Sequence, residues 1–400
     1  MDTYLLDWAN LLLRWLHVVT AIAWIGASLH FVRLDNSLYK PTDPRLRERG
    51  VDGEAWAVHG GGFYHSNKYL VAPPGLPEKL HWSYWESYST WLSGFALLVL
   101  LYFFNASSFL VDKTVFDWSP GAAVAGALVY LATGWIVYDA ICRLFGRDAH
   151  GAVGGDAKVG LGVLIYVGVA AWVACQFFAG RAAFLLTGAM LATVMSANVA
   201  MVIIPGQRKV VAALRAGLPV DPALGARGKQ RSLHNTYFTM PVVVTMLSNH
   251  YGMLTSGRHN WIVLILLMLA AALIRLFFVL RHKAPARWEI PAAAVALLAV
   301  IGVLIAPERA PAVPAAQAAA APRFAEVQAV VERHCVVCHN AQLANKNVAL
   351  HTPALIAGHG QTVYQQVVVT RQMPLNNATR ISEAERELVK RWYEAGAPGP

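Results

Sequence analysis

Eight stretches of this chain are apolar for long enough to cross a bilayer, and that repetition limits its fold more than any other feature. A spanning helix needs about 20 apolar residues, because the hydrocarbon core is roughly 30 Å thick and a helix rises about 1.5 Å per residue. The runs lie near residues 5–32, 84–105, 120–142, 159–180, 182–205, 236–254, 261–280 and 288–306. Inside lipid every backbone donor must be satisfied within the segment, so runs of this length form helices. The expected fold class is therefore all-α: an eight-span transmembrane helical domain over 1–306, a tether over 307–322 and a small C-terminal domain over 323–400. The first run holds Arg14, His17 and His30 and lacks a short apolar region followed by a small-residue cleavage site. It reads as a retained helix.

A net charge of +10 would otherwise point to nucleic acid. Only 14% of the residues are charged, however, and the basic ones lie in short segments between the apolar runs. The loops after the first, third, fifth and seventh runs carry eighteen Lys and Arg, Arg231 and Lys283 among them, whereas the alternate loops hold only Lys113, Arg181 and Arg258. By the positive-inside rule the basic loops are cytoplasmic and both termini are outside, in the periplasm if this is a bacterial inner membrane. The partner is the lipid bilayer, with no nucleic acid. Cys142 and Cys175 fall inside apolar runs and read as small buried side chains.

The segment 307–322 runs PERAPAVPAAQAAAAP. So much proline prevents a continuous helix, and in extended form the segment could reach roughly 50 Å. Beyond it comes Cys335-Val-Val-Cys338-His339. In C-x-x-C-H two thiols on one turn bond the vinyl groups of a haem, and the next imidazole sits under the iron. The C-terminal domain thus reads as a c-type cytochrome with one covalent haem c, attached by Cys335 and Cys338 and ligated by His339. Met373, followed by Pro374, is the candidate sixth ligand, with His351 and His359 as alternatives; His/Met ligation raises the potential, as suits an electron acceptor. Ser382 and Glu385 form a capping box that opens a last helix.

Polar side chains inside a span are costly and mark candidate sites. Arg14 and His17 in the first run and Asn249 and His250 in the sixth fall toward the periplasm; His30, His81, Glu86, Asn198 and the stretch from His234 to Tyr237 fall toward the cytoplasm. At about 100° per residue Arg14, His17, Trp24 and Ser28 share a face that His30 avoids. Trp82, Glu86, Ser89 and Ser93 form a stripe on the second span, and Pro241 frees the carbonyl of Tyr237. The loop over 33–83 is aromatic in its second half and reads as a packed lid, a segment dipping into the domain or a plain structured loop.

Three segments carry a family resemblance: RWLHVVTAIAWIGASLHFVRLDNSL from Arg14, HGGGFYHSNKYLVAPPGLPEKLHWSYWESYSTWLSGF from His59, and HNTYFTMPVVVTMLSNHYG from His234. With the tether and CVVCH, the chain resembles the membrane-bound cytochrome c-fused urate oxidases, or urate hydroxylases. The resemblance implies oxidation of urate with water to 5-hydroxyisourate in purine degradation. Electrons would leave through the fused haem to a downstream cytochrome c or terminal oxidase, without forming peroxide.

Urate is a flat anion, so its site should offer a ring face, amide or Arg donors and a base. Trp24 or Trp85, with Arg14, Asn198 or Asn249, can bind it; His17, His250 or Glu86 can act as base. An imidazole pair can also hold a b-type haem. Rival readings are a haem-bearing redox anchor for another catalytic subunit, a quinol oxidoreductase, and a transporter with a fused cytochrome.

Overall fold

Apolar helices with small residues at their crossings build most of the molecule. The computed structural model describes residues 3–70, 72–148, 152–257, 259–281, 285–306, 322–344 and 348–400. The chain opens with α1 (Thr3–Ser37), α2 (Pro44–Glu48) and a hairpin of β1 (Gly53–His59) and β2 (Gly62–Lys68). α3 (Trp85–Leu98) continues as a π turn, Val99–Phe103, and is followed by α4 (Ala106–Phe109), α5 (Pro120–Phe145) and α6 (Asp156–Phe177). α7 (Gly180–Ala197) passes through a second π turn, Asn198–Ile203, into α8 (Ile204–Arg215). Then come α9 (Pro222–Leu247), α10 (Gly252–Thr255), α11 (Asn260–Leu280) and α12 (Glu289–Leu304).

Among the described residues five helices are long and apolar enough to cross a membrane: Tyr4–Ser37, Pro120–Phe145, Asp156–Phe177, Gly180–Arg215 and Asn260–Leu280. Glu289–Leu304 is a shorter apolar helix. The helices outrun the apolar stretches that announce them. The run expected over 236–254 belongs to a helix that starts at Pro222, capped by Asp221 accepting from the Ala223 N–H at 2.9 Å, and that ends at Leu247. Apolar character ends at the membrane boundary; helical hydrogen bonding does not.

α7 is the central rod, packed against α3, α5, α6 and α9, with Phe184, Leu186 and Met190 fully buried. Small residues allow the approach: a methyl added at Gly134 of α5 would overlap Met190, and one at Gly188 would overlap Thr245 of α9. α1 is peripheral. Leu11, Leu12, Trp15, Leu16, Val19 and Ile22 face outward, and the helix docks mainly on α3, where the His17 ring lies against Gly94. His30 is exposed, as its helical phase predicts, while Trp24 packs on the core.

The loop after α1 takes the plain structured form among the readings the sequence allows. It is neither a packed lid nor a dipping segment: its hairpin exposes Trp56, Val58, Phe63 and Tyr64. Gly60 and Gly61 make the turn at φ of 58° and 80°, which matches the twist of paired strands. What is buried is the hairpin's base, where Glu54 accepts from the Thr42 N–H at 2.9 Å and lies 2.6 Å from His65 Nε2.

A separate C-terminal unit has its own core, including Val327, Val331, Ile356, Val389 and a fully buried Trp392. The proposed tether lies outside the described residues except for Pro322. The predicted capping box is present: Ser382 Oγ accepts from the Glu385 N–H at 3.3 Å, and Glu385 Oε2 accepts from the Ser382 N–H at 2.8 Å. Burial alone would raise the Glu385 carboxyl, but Ser382 and His334 outweigh it and hold it down at about 2. A depressed carboxyl stabilises the fold above its unfolded value of about 4.3, and that contribution fades as pH falls toward 2. Ser382→Ala is expected to cost this unit about 1 kcal/mol. Hydrogen exchange of the Glu383–Glu394 helix amides checks both effects.

Candidate functional site

The helix Phe324–His334 is capped by Cys335, whose N–H still bonds the Val331 carbonyl, and the chain turns so that the Cys338 and His339 N–H groups both bond the Cys335 carbonyl, at 3.1 and 3.0 Å. Cys335 is buried and Cys338 exposed, and both are free thiols. Burial, and then the neighbouring Cys338, push the Cys335 thiol up to about 11. His339 Nδ1 lies 3.0 Å from the Val348 carbonyl. That bond puts the proton on Nδ1 and leaves the Nε2 lone pair for a metal, the arrangement that orients ligating imidazoles elsewhere.

Met373 packs against the C-terminal core, and its backbone is fixed by the Gln366 carbonyl at 3.0 Å and Arg386 Nη1 at 3.1 Å. Val337, Leu343 and Val369 are exposed. This donor set fits a c-type haem. His351 is exposed and His359 half-buried.

The Met373 loop touches the helical domain. Gln372 Nε2 donates to the His250 carbonyl at 2.9 Å, and Arg181 Nη2 donates to the Gln372 carbonyl at 3.4 Å. A methyl on Gly252 would stand 2.9 Å from the Arg371 carbonyl, so only glycine permits this approach. Beneath the contact Tyr102 donates to Asn249 Oδ1 at 3.0 Å. Arg14 itself is exposed and bonded to Asn10 at 2.7 Å.

A second polar group lies at the other end of the bundle. Tyr138 of α5 hydrogen-bonds His234 Nδ1 at 2.7 Å, and Asn198 Nδ2 reaches Tyr138 at 3.0 Å and Asn235 Oδ1 at 2.9 Å. Arg231 Nη2 donates to Asp139 Oδ1 at 2.6 Å. Asn198 opens the π turn before Pro205, whose missing N–H breaks the regular ladder there.

The predicted residues thus fall into groups rather than one site. Arg14, Asn249 and His250 lie at the docked end, with the His250 ring exposed. Asn198 lies at the far end. His17 sits between, its Nδ1 3.1 Å from the Thr90 carbonyl and 3.2 Å from Ser93 Oγ. Glu86 is half-buried in the first turn of α3 and Trp85 is exposed to the surroundings.

Sequence reasoning missed Tyr102, Tyr138, Asp139 and Arg275, and it counted Arg231 as a loop charge. Arg231 is in fact 5% exposed inside α9, paired with Asp139. A lone Arg275 in an apolar run is itself the signal that a buried cation is being kept for a purpose.

No curated protein and no solved structure matches the chain. The family described as urate oxidase N-terminal matches residues 3–306, which include both polar groups and the Gly252 contact surface. The chain therefore belongs to the urate oxidase N-terminal family.

Proposed function

We propose that the protein oxidises urate with water to 5-hydroxyisourate, releasing two protons and two electrons, and passes the electrons singly through a haem c on its C-terminal unit. The observation that carries this reading is the family match over 3–306 in a chain whose next unit holds Cys335, Cys338 and His339 on one turn. Cys335 and Cys338 would hold the haem through thioethers, with His339 and Met373 as its ligands, and it would supply one-electron acceptance, with re-oxidation by a downstream cytochrome c or terminal oxidase.

The eight-crossing reading adds α12, the α3 rod and α9 to the five long apolar helices. Alternate helix ends support it: the C-terminal unit touches the end where α7 starts and α9 finishes, opposite the basic loops. That end is then periplasmic. Electrons leave there, so the oxidation site belongs beneath the docked loop, with Arg14, Asn249 and Arg181 as donors, Trp24 as a ring face and His17 or His250 as base. Glu86, Trp85 and Asn198 take no part in this placement.

Urate added anaerobically to the oxidised, purified protein is expected to reduce the haem, with one 5-hydroxyisourate per two electrons and no peroxide when oxygen is admitted. Failure of urate to reduce the haem would remove the reading. In the same assay Met373→Ala should keep the haem attached, lower its potential and produce a high-spin spectrum. An unchanged spectrum would move the axial role to His351 or His359.

A further inference from the structure

Arg275 occupies the last third of α11 and is 6% exposed, too enclosed by protein to reach an interface by snorkelling. Its Nε and Nη2 are buried and make no hydrogen bond among the described residues. Those two atoms form one edge of the guanidinium, with parallel N–H groups suited to a single bidentate acceptor.

No carboxylate answers it from the helices packed on α11. α9 has none; Glu289 of α12 accepts from Arg287 at 2.6 Å, and Asp156 of α6 from Gln230 at 2.8 Å. At this end of α1, where Asn36 donates to the Val279 carbonyl at 3.1 Å, Asp35 pairs with Lys68.

A buried cation without a counter-ion is strongly unfavourable, and replacing such a group by an apolar side chain of similar volume usually stabilises a protein. Its retention calls for a ligand that brings the missing charge.

The geometry points to an anion site at Arg275, taking a small planar organic anion with two adjacent acceptor atoms on one edge. The identity of that anion rests on the urate reading: the urate anion presents a carbonyl oxygen beside a deprotonated ring nitrogen, which matches the Nε/Nη2 edge. The site lies toward the basic end of the bundle, away from the docked Met373 loop. It captures the anion on the side where Lys and Arg raise its local concentration, whereas oxidation belongs to the other end.

The test is thermal unfolding and equilibrium dialysis of the full-length, detergent-solubilised holoprotein with urate, benzoate, formate and chloride, and separately with anionic phospholipid. Wild type should be stabilised by the planar bidentate anions and not by chloride. Arg275→Met should raise the melting temperature of the ligand-free protein while weakening anion binding by between about ten- and a hundredfold. Arg275→Lys, which keeps the charge and loses the paired edge, should bind with intermediate affinity. Benzoate or formate binding that depends on Arg275, with no response to urate, would leave the site standing and remove urate as its ligand. Equal anion binding by wild type and Arg275→Met, a response to phospholipid alone, or a ligand-free Arg275→Met less stable than wild type would each overturn the proposal.

Discussion

Gly252→Leu is expected to slow urate-dependent haem reduction by roughly five- to 150-fold while leaving the haem spectrum unchanged. A side chain at this position meets the Arg371 carbonyl at 2.9 Å, a backbone atom that cannot give way cheaply, and Arg181 Nη2 at 3.3 Å, the end of a flexible side chain. Backing the C-terminal unit away breaks the Gln372–His250 and Arg181–Gln372 hydrogen bonds. Each is worth about 0.5–1.5 kcal/mol, so their joint loss of about 1–3 kcal/mol lowers the docked population by roughly five- to 150-fold. The effect stays finite because a tethered unit keeps a high effective concentration near its surface. Gly257→Leu is the control, since nothing lies within 4 Å of that position. Stopped-flow absorbance at saturating urate reads the rates. A wild-type rate in Gly252→Leu would mean that electrons cross somewhere other than this contact.

The second large effect is on stability. Asp139→Ala leaves the Arg231 guanidinium enclosed with no counter-charge, over the rings of Tyr138 at 5.0 Å and Trp135 at 5.9 Å. Removing one partner of a buried pair costs about 3–5 kcal/mol. Arg143 also pairs with Asp139, at 2.5 Å, but its side chain is 76% exposed. Arg143→Ala should therefore cost no more than about 1 kcal/mol. The double replacement Asp139→Leu with Arg231→Met should recover most of the loss, because it removes both charges together. Urea-dependent proteolysis of the solubilised protein measures all four proteins on one scale. Equal stability of Asp139→Ala and wild type would show that water reaches Arg231.

Much of the fold and part of the site are legible in the sequence, and the division follows the range of the interactions. The positions of the apolar runs, the burial of Cys142 and Cys175, the exposure of His30, the C-x-x-C-H turn and the Ser382–Glu385 box depend on residues a few positions apart. Local hydropathy, helical phase and capping chemistry are enough to state them. The helix starts at Pro222 and the exposed hairpin were less legible, because apolar character tracks where a segment lies and not where its hydrogen bonding ends.

The chemistry of charge was decided elsewhere. Arg231 looks like any loop cation until Asp139, 92 residues away, is brought beside it; His234 meets Tyr138 across 96 residues, and Gln372 meets His250 across 122. Arg275 carries the same charge in the same kind of helix, yet among the described residues its Nε and Nη2 find no hydrogen-bond acceptor. The sequence alone determined that these residues lie in or near apolar helices. Only the tertiary structure decided which of them are neutralised within the protein and which are left for a ligand, because a charge in low dielectric is governed by the neighbour that packing supplies, and packing joins helices far apart in the chain.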